Sequence, residues 1–166
     1  MLTSHELFGF MSPALAVGII EYSHDHNREL YKTALASVAE ARKLRPIFFE
    51  RLPRANRHAD MAAMLAKPRL ELVAGSLLRD WLMKKETAML IDFLDSLAIA
   101  HKEGAVDDLP AAIDDAKLQD AIEKLLAKYP AEEVAVYLHA FYTMNQVQWP
   151  NLEKLLQSDA RLQFGG

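Results

Sequence analysis

The chain is expected to fold as an all-α protein, a single domain over residues 1–166 built as a multi-helix bundle of about eight helices. Three observations predict this. Almost every apolar pattern recurs at three- and four-residue spacing, which lays a stripe along one face of a helix. No stretch alternates polar and apolar residues for long enough to make a half-buried strand. Prolines stand repeatedly where a periodic segment begins, the position at which a missing N–H costs nothing.

A first short helix is read from Ser4 to Met11, and Ser12-Pro13 then supplies an N-cap followed by proline at the first helical position. The next helix carries its apolar positions to Tyr22. The polar cluster Ser23, His24, Asp25, His26 and Asn27 is read as a break rather than as a polar turn of one long helix. The segment after it puts Leu30, Ala34, Val38 and Ala41 on one stripe and stops before Pro46, since the residue preceding proline avoids the helical region. Pro46, Pro53 and Pro68 mark three starts in quick succession: a short helix with Phe48 and Phe49, a second with Met61, Met64 and Leu65, and a third from near Arg69. That third helix carries Leu70, Val73, Leu77 and Trp81, with Leu78 and Leu82 widening the face enough for burial on two sides.

Beyond Lys84-Lys85 a helix presents Met89, Leu90, Phe93, Leu94 and Leu97, and residues His101 to Pro110 form the clearest loop. Leu118, Ile122, Leu125, Leu126 and Tyr129 make the next helix. Pro130 begins another with Val134, Tyr137, Leu138 and Phe141, and Trp149-Pro150 introduces a last short one. The terminal Gly165-Gly166 is expected to fray. A shift of 44 residues lays Leu78, Trp81 and Leu82 on Ile122, Leu125 and Leu126, and Leu90, Phe93, Leu94 and Leu97 on Val134, Tyr137, Leu138 and Phe141. Two similar helical hairpins, 70–98 and 118–142, are therefore expected in the C-terminal two-thirds, with Trp81, Phe93, Leu94, Leu126, Tyr137 and Phe141 in one core. The offset lies within the length of HEAT and armadillo repeats. A third copy fails because Pro46 and Pro53 would fall opposite Leu90 and Leu97.

The absence of cysteine removes disulfides, thiolate nucleophiles and sulfur-ligated zinc, and fits a cytoplasmic protein. No run approaches the roughly 20 apolar residues needed to span a bilayer. The net charge of -4 hides an asymmetry: residues 42–69 hold eight Lys and Arg against Glu50 and Asp60, whereas residues 86–133 hold twelve Asp and Glu against four Lys. Such halves can attract an anionic partner, or complement each other within a monomer or across a homodimer.

The basic series is the leading functional candidate. Arg42, Arg45, Arg51, Arg54 and Arg57 can form an edge, because guanidinium groups recognise carboxylates and phosphates in a bidentate fashion. A sequence pI near 5.9 and the lack of a nucleic-acid motif argue against a general nucleic-acid binder. The expectation is a non-catalytic helical interaction domain that binds an acidic protein or another anionic partner. The alternative is a metal-binding protein or metal-dependent enzyme holding iron, manganese or zinc at Glu21, His24, His26 and Glu29. There the three-residue spacing of carboxylate and imidazole resembles one helix of a di-iron bundle. The second Glu-x-x-His that such bundles need is missing. No glycine-rich phosphate loop, nucleophile elbow or His-Glu-x-x-His is present. His139, on an apolar helix, is read as a core histidine with one hydrogen bond, and His101 as solvated in its acidic loop.

Overall fold

Pro13, Pro46, Pro68 and Pro150 each stand in the first turn of a helix, and Pro53 and Pro130 occupy the residue before one. The computed structural model describes residues Leu2–Phe164, so the Gly165-Gly166 pair lies outside the described residues. Among them are ten α-helices, two 3-10 turns and no strand. The helices are α1 Ser4–Phe10, α2 Pro13–His26, α3 Arg28–Ala41, α4 Pro46–Glu50, α5 Arg54–Leu65, α6 Glu71–Lys84, α7 Thr87–Ser96, α8 Asp115–Lys128, α9 Ala131–Met144 and α10 Pro150–Ser158. The all-helical class is as expected, and the ten α-helices among the described residues correspond to the segments read one by one along the chain, more than the overall figure of about eight.

The break after α2 is one residue long. Ser23 stays helical and buried because its hydroxyl donates to the Ile20 carbonyl at 2.6 Å, so the polar cluster turns one face inward instead of unwinding. Asn27 alone leaves the helical region, with φ -145° and ψ 78°. Its N–H closes α2 on the Ser23 carbonyl, and its side-chain oxygen accepts from Leu30 N–H to cap α3.

The chain divides into two compact units, Thr3–Trp81 and one beginning at Leu82, with the boundary inside α6. In the first, α2 packs on α3 and α5, α1 packs on α5, and α3 carries α4. Leu7, Ile19, Ile20, Leu35, Met61 and Leu65 fill this core. Thr3 makes no side-chain cap at the start of α1. The Glu71 carboxylate does so from α6, accepting from Ser4 N–H at 2.9 Å and His5 N–H at 2.8 Å. Burial alone would raise the Glu71 pKa. The two N–H donors and the His5 ring outweigh it and hold the carboxyl below its ordinary value.

In the second unit α9 is buried continuously from Val134 to Phe141, as befits a helix enclosed on all sides. Phe93, Tyr137 and Phe141 meet edge to face with centroids 5.4 to 5.9 Å apart, and Trp149 joins Phe141 at 5.4 Å. Trp149 Nε1–H donates to the Pro110 carbonyl at 2.8 Å, and Asn151 Nδ2 to the Ile113 carbonyl, which fastens the end of the long loop to α10. Within that loop Lys102 and Ala105 form an isolated antiparallel bridge around Glu103 and Gly104, both at positive φ. This is the geometry of a tight primed turn. His101 is not the solvated residue expected: Gly104 N–H donates to its Nδ1 and its Nε2 reaches Asp95 at 2.7 Å. His139 keeps the single bond expected of it, from Nε2 to the Leu162 carbonyl at 2.9 Å.

Of the six residues assigned to one core, Phe93, Leu94, Tyr137 and Phe141 are buried in this second unit, and Leu126 is half-buried. Trp81 is buried too, but ends the first. Truncation of Phe93 to Ala is expected to cost roughly 3 to 5 kcal/mol. Urea unfolding checks this, and an unchanged midpoint would remove the aromatic cluster from the core.

Candidate functional site

The site is built on a helix too short to bury both of its aromatic residues. Pro46 starts α4 and Pro53 stands before α5, so five helical residues lie between two fixed boundaries. Phe48 and Phe49 are about 100° apart around such a helix. Phe49 is wholly buried against the rest of the unit, and Phe48 is turned out with 53% exposure. Ile47 is 51% and Leu44 42% exposed. The seven residues from Arg42 to Phe48 are all exposed, so three cationic and three large apolar side chains share one exposed segment.

The approach to this segment carries backbone strain. The end of α3 closes with Leu44 N–H on the Ala39 carbonyl and Lys43 N–H on the Glu40 carbonyl, a helix stop that places Lys43 at φ 58°. Glycine is the residue that reaches this region without strain. A lysine stands there instead.

The five arginines differ in their partners. Arg42 pairs with Asp60 at 2.9 Å and its guanidinium lies 5.9 Å from the Phe49 ring centroid. Arg54 pairs with Asp25 at 3.4 Å and approaches Glu21 at 3.9 Å. Arg57 is half-buried and donates from Nη1 to the Glu50 carbonyl at 2.9 Å, so it caps the end of α4. Arg45 and Arg51 form no ion pair among the described residues. Arg51 instead lies 6.0 Å from the centroid of the exposed Phe48 ring. The available basic surface is therefore Arg45 and Arg51, with Lys43 beside them and Leu44, Ile47 and Phe48 between.

The residues of the alternative reading are not assembled as a ligand set. His24 is engaged at both nitrogens, Nδ1 with Asp25 at 2.8 Å and Nε2 with Arg28 at 3.1 Å. His26 lies against the Tyr22 ring at 4.6 Å, and Glu29 is exposed in the first turn of α3. Glu21 turns toward α5, where its carboxylate is 3.4 Å from His58 Nδ1. Among the described residues no group of three or more His, Asp or Glu side chains is disposed to hold a metal ion. The helical continuation through His26 is part of the reason, because at about 100° per residue it turns His26 away from the face that Glu21 and His24 share, and both nitrogens of His24 are already engaged.

What sequence reasoning missed is His58. It is fully buried on α5, and its Nε2 lies 2.8 Å from the Tyr31 hydroxyl while Nδ1 faces Glu21. A neutral ring satisfies both contacts: Nδ1–H donates to the carboxylate and Nε2 accepts from the phenol. Burial holds the imidazole below its ordinary value of 6.5, with Glu21 opposing the shift and Arg57 and Arg54 adding to it. His58, Met61 and Leu65 share one face at helical spacing, the signal that could have marked this histidine as internal.

No helix among the described residues is long and apolar enough to cross a membrane. No family model matches the chain, and no curated protein or solved structure matches it.

Two expectations follow. His58 and His139 are both held below 6.5 by burial, so the unfolded chain takes up protons first as pH falls. Stability is complete above about pH 6.5 and declines as pH drops toward the folded values. Urea unfolding at pH 7.5 and pH 5.5, two readings on either side of about 6.5, is expected to show a loss that shrinks in His58→Gln. An equal loss in that variant would remove His58 from the effect. Replacing Lys43 by Gly is expected to raise stability by about 1 kcal/mol through relief of the left-handed backbone, and a fall in the unfolding midpoint would contradict that.

Proposed function

We propose that the chain is a non-catalytic helical interaction domain that binds an acidic protein or another anionic partner through a basic edge. The hairpins over 70–98 and 118–142, repeating one apolar pattern, serve in this reading as scaffold. The observation that carries it is the state of Arg45 and Arg51. Both are exposed, neither is neutralised by a carboxylate among the described residues, and both flank exposed Ile47 and Phe48. Unpaired cations set beside desolvatable apolar surface are the combination that protein-binding sites favour, with Arg and aromatic residues as anchors. The rival account, in which the basic series is balanced internally, applies to Arg42 and Arg54, whose partners Asp60 and Asp25 belong to the same unit.

The test uses immobilised polyglutamate as a defined anionic probe. The full chain is expected to bind and to be released by rising salt, since exposed charges act through screened attraction. The double variant Arg45→Ser, Arg51→Ser is expected to bind at least several-fold more weakly with an unchanged melting temperature, while Arg42→Ser loses the Asp60 pair and affects binding less. Equal binding by the double variant would refute the assignment.

A further inference from the structure

We infer that the Arg42–Arg51 segment docks on an anionic lipid surface, with Ile47 and Phe48 entering the headgroup boundary and Lys43, Arg45 and Arg51 meeting the lipid phosphates and carboxylates. The inference rests on the anionic-partner reading above and names the partner.

Three observations carry it. The first is continuous exposure over an anchored base. Residues 42 to 48 are all exposed in sequence, and Phe49 next to them is fully buried. A bilayer boundary needs no complementary groove and accepts such an exposed segment directly. The second is the chemistry of the segment: Leu44, Ile47 and Phe48 are 42 to 53% exposed within five residues of chain. Apolar residues of this kind bury to a depth of about 5 to 10 Å where headgroups meet acyl chains. The third is charge complementarity. Between residues 42 and 51 three cations, Lys43, Arg45 and Arg51, stand without an ion pair among the described residues against one carboxylate, Glu50, while Arg42 is paired with Asp60, and the guanidinium of Arg51 lies beside the Phe48 ring, so apolar and cationic groups are neighbours. The net charge of -4 does not oppose this, because charges farther than about 8 Å from the contact are screened at physiological ionic strength. Juxtaposed basic and apolar side chains also combine the two terms that set interfacial binding strength, buried apolar area and electrostatic attraction to anionic lipids.

The experiment sediments the full chain with vesicles of phosphatidylcholine alone or mixed with phosphatidylserine, across a salt series. Binding is expected only to the phosphatidylserine vesicles and is expected to weaken with salt. Arg45→Ser with Arg51→Ser is expected to lower partitioning roughly 30-fold, which is two increments of about 1 kcal/mol at about 1.4 kcal/mol per tenfold. Phe48→Ser is expected to lower it as well, with unchanged circular dichroism and melting temperature because the ring is already exposed. In Phe48→Trp, the added emission is expected to shift to the blue on binding phosphatidylserine vesicles. Absence of sedimentation at low salt, an undiminished response in Phe48→Ser, or no blue shift would each overturn the lipid assignment. Retained binding to polyglutamate alongside absent vesicle binding would overturn it while leaving the anionic-partner reading standing, and loss of both would overturn the two together.

Discussion

The His58 imidazole is the point at which three helices of the N-terminal unit are joined. It sits on α5, takes the Tyr31 hydroxyl of α3 on one nitrogen and faces the Glu21 carboxylate of α2 with the other. A fully buried imidazole without partners would lose the hydration of two polar atoms, a penalty of roughly 1 to 3 kcal/mol for each one left unsatisfied. The geometry that satisfies both therefore also sets the positions of α2, α3 and α5 relative to one another. The edge contacts of the His24 ring with Tyr31 at 4.8 Å and His58 at 5.7 Å extend the same network along α2.

With α3 and α5 held in this way, the chain between them has little freedom. It leaves α3 through Lys43 in the left-handed region, forms five residues of helix, and must enter α5 after Pro53. Arg57 reaches back from α5 to the last carbonyl of α4, and Phe49 plugs the core. One anchor of each kind is enough to fix so short a helix, and its other apolar residues have no remaining surface to cover. The exposure of Ile47 and Phe48 follows from the same constraints that bury Phe49.

Much of the fold was legible because its signals are local. Ser12 accepts from Leu15 N–H in front of Pro13, and Trp149 precedes Pro150 at the start of α10, as cap chemistry dictates. The polar run after Tyr22 misled because Ser23 can satisfy its hydroxyl within the helix, a choice that depends on which face is buried and not on composition. The arginines were legible as a series, but their pairing was not. Asp60 lies 18 residues from Arg42 and Asp25 lies 29 from Arg54, so the division into neutralised and available cations is set by tertiary packing. For the same reason Phe48 and Phe49 could not be told apart: adjacent residues on a five-residue helix differ only in what lies opposite each.

Exposure of an apolar side chain by itself says little, since more than half of a folded surface is apolar. The α3–α4 connection is different because two departures from what its backbone favours coincide there. A glycine at position 43 would make the same helix stop without left-handed strain, and polar side chains at 47 and 48 would leave α4 anchored by Phe49 and capped by Arg57 as before. Neither the lysine nor the two apolar residues is required by the packing that surrounds them. Where a sequence is locally at odds with its own fold and nothing in the packing compensates, the residues concerned are those expected to meet something outside it. In this segment those residues are cationic and apolar together, and on the reading proposed above the surface that answers them is both anionic and able to take hydrocarbon out of water.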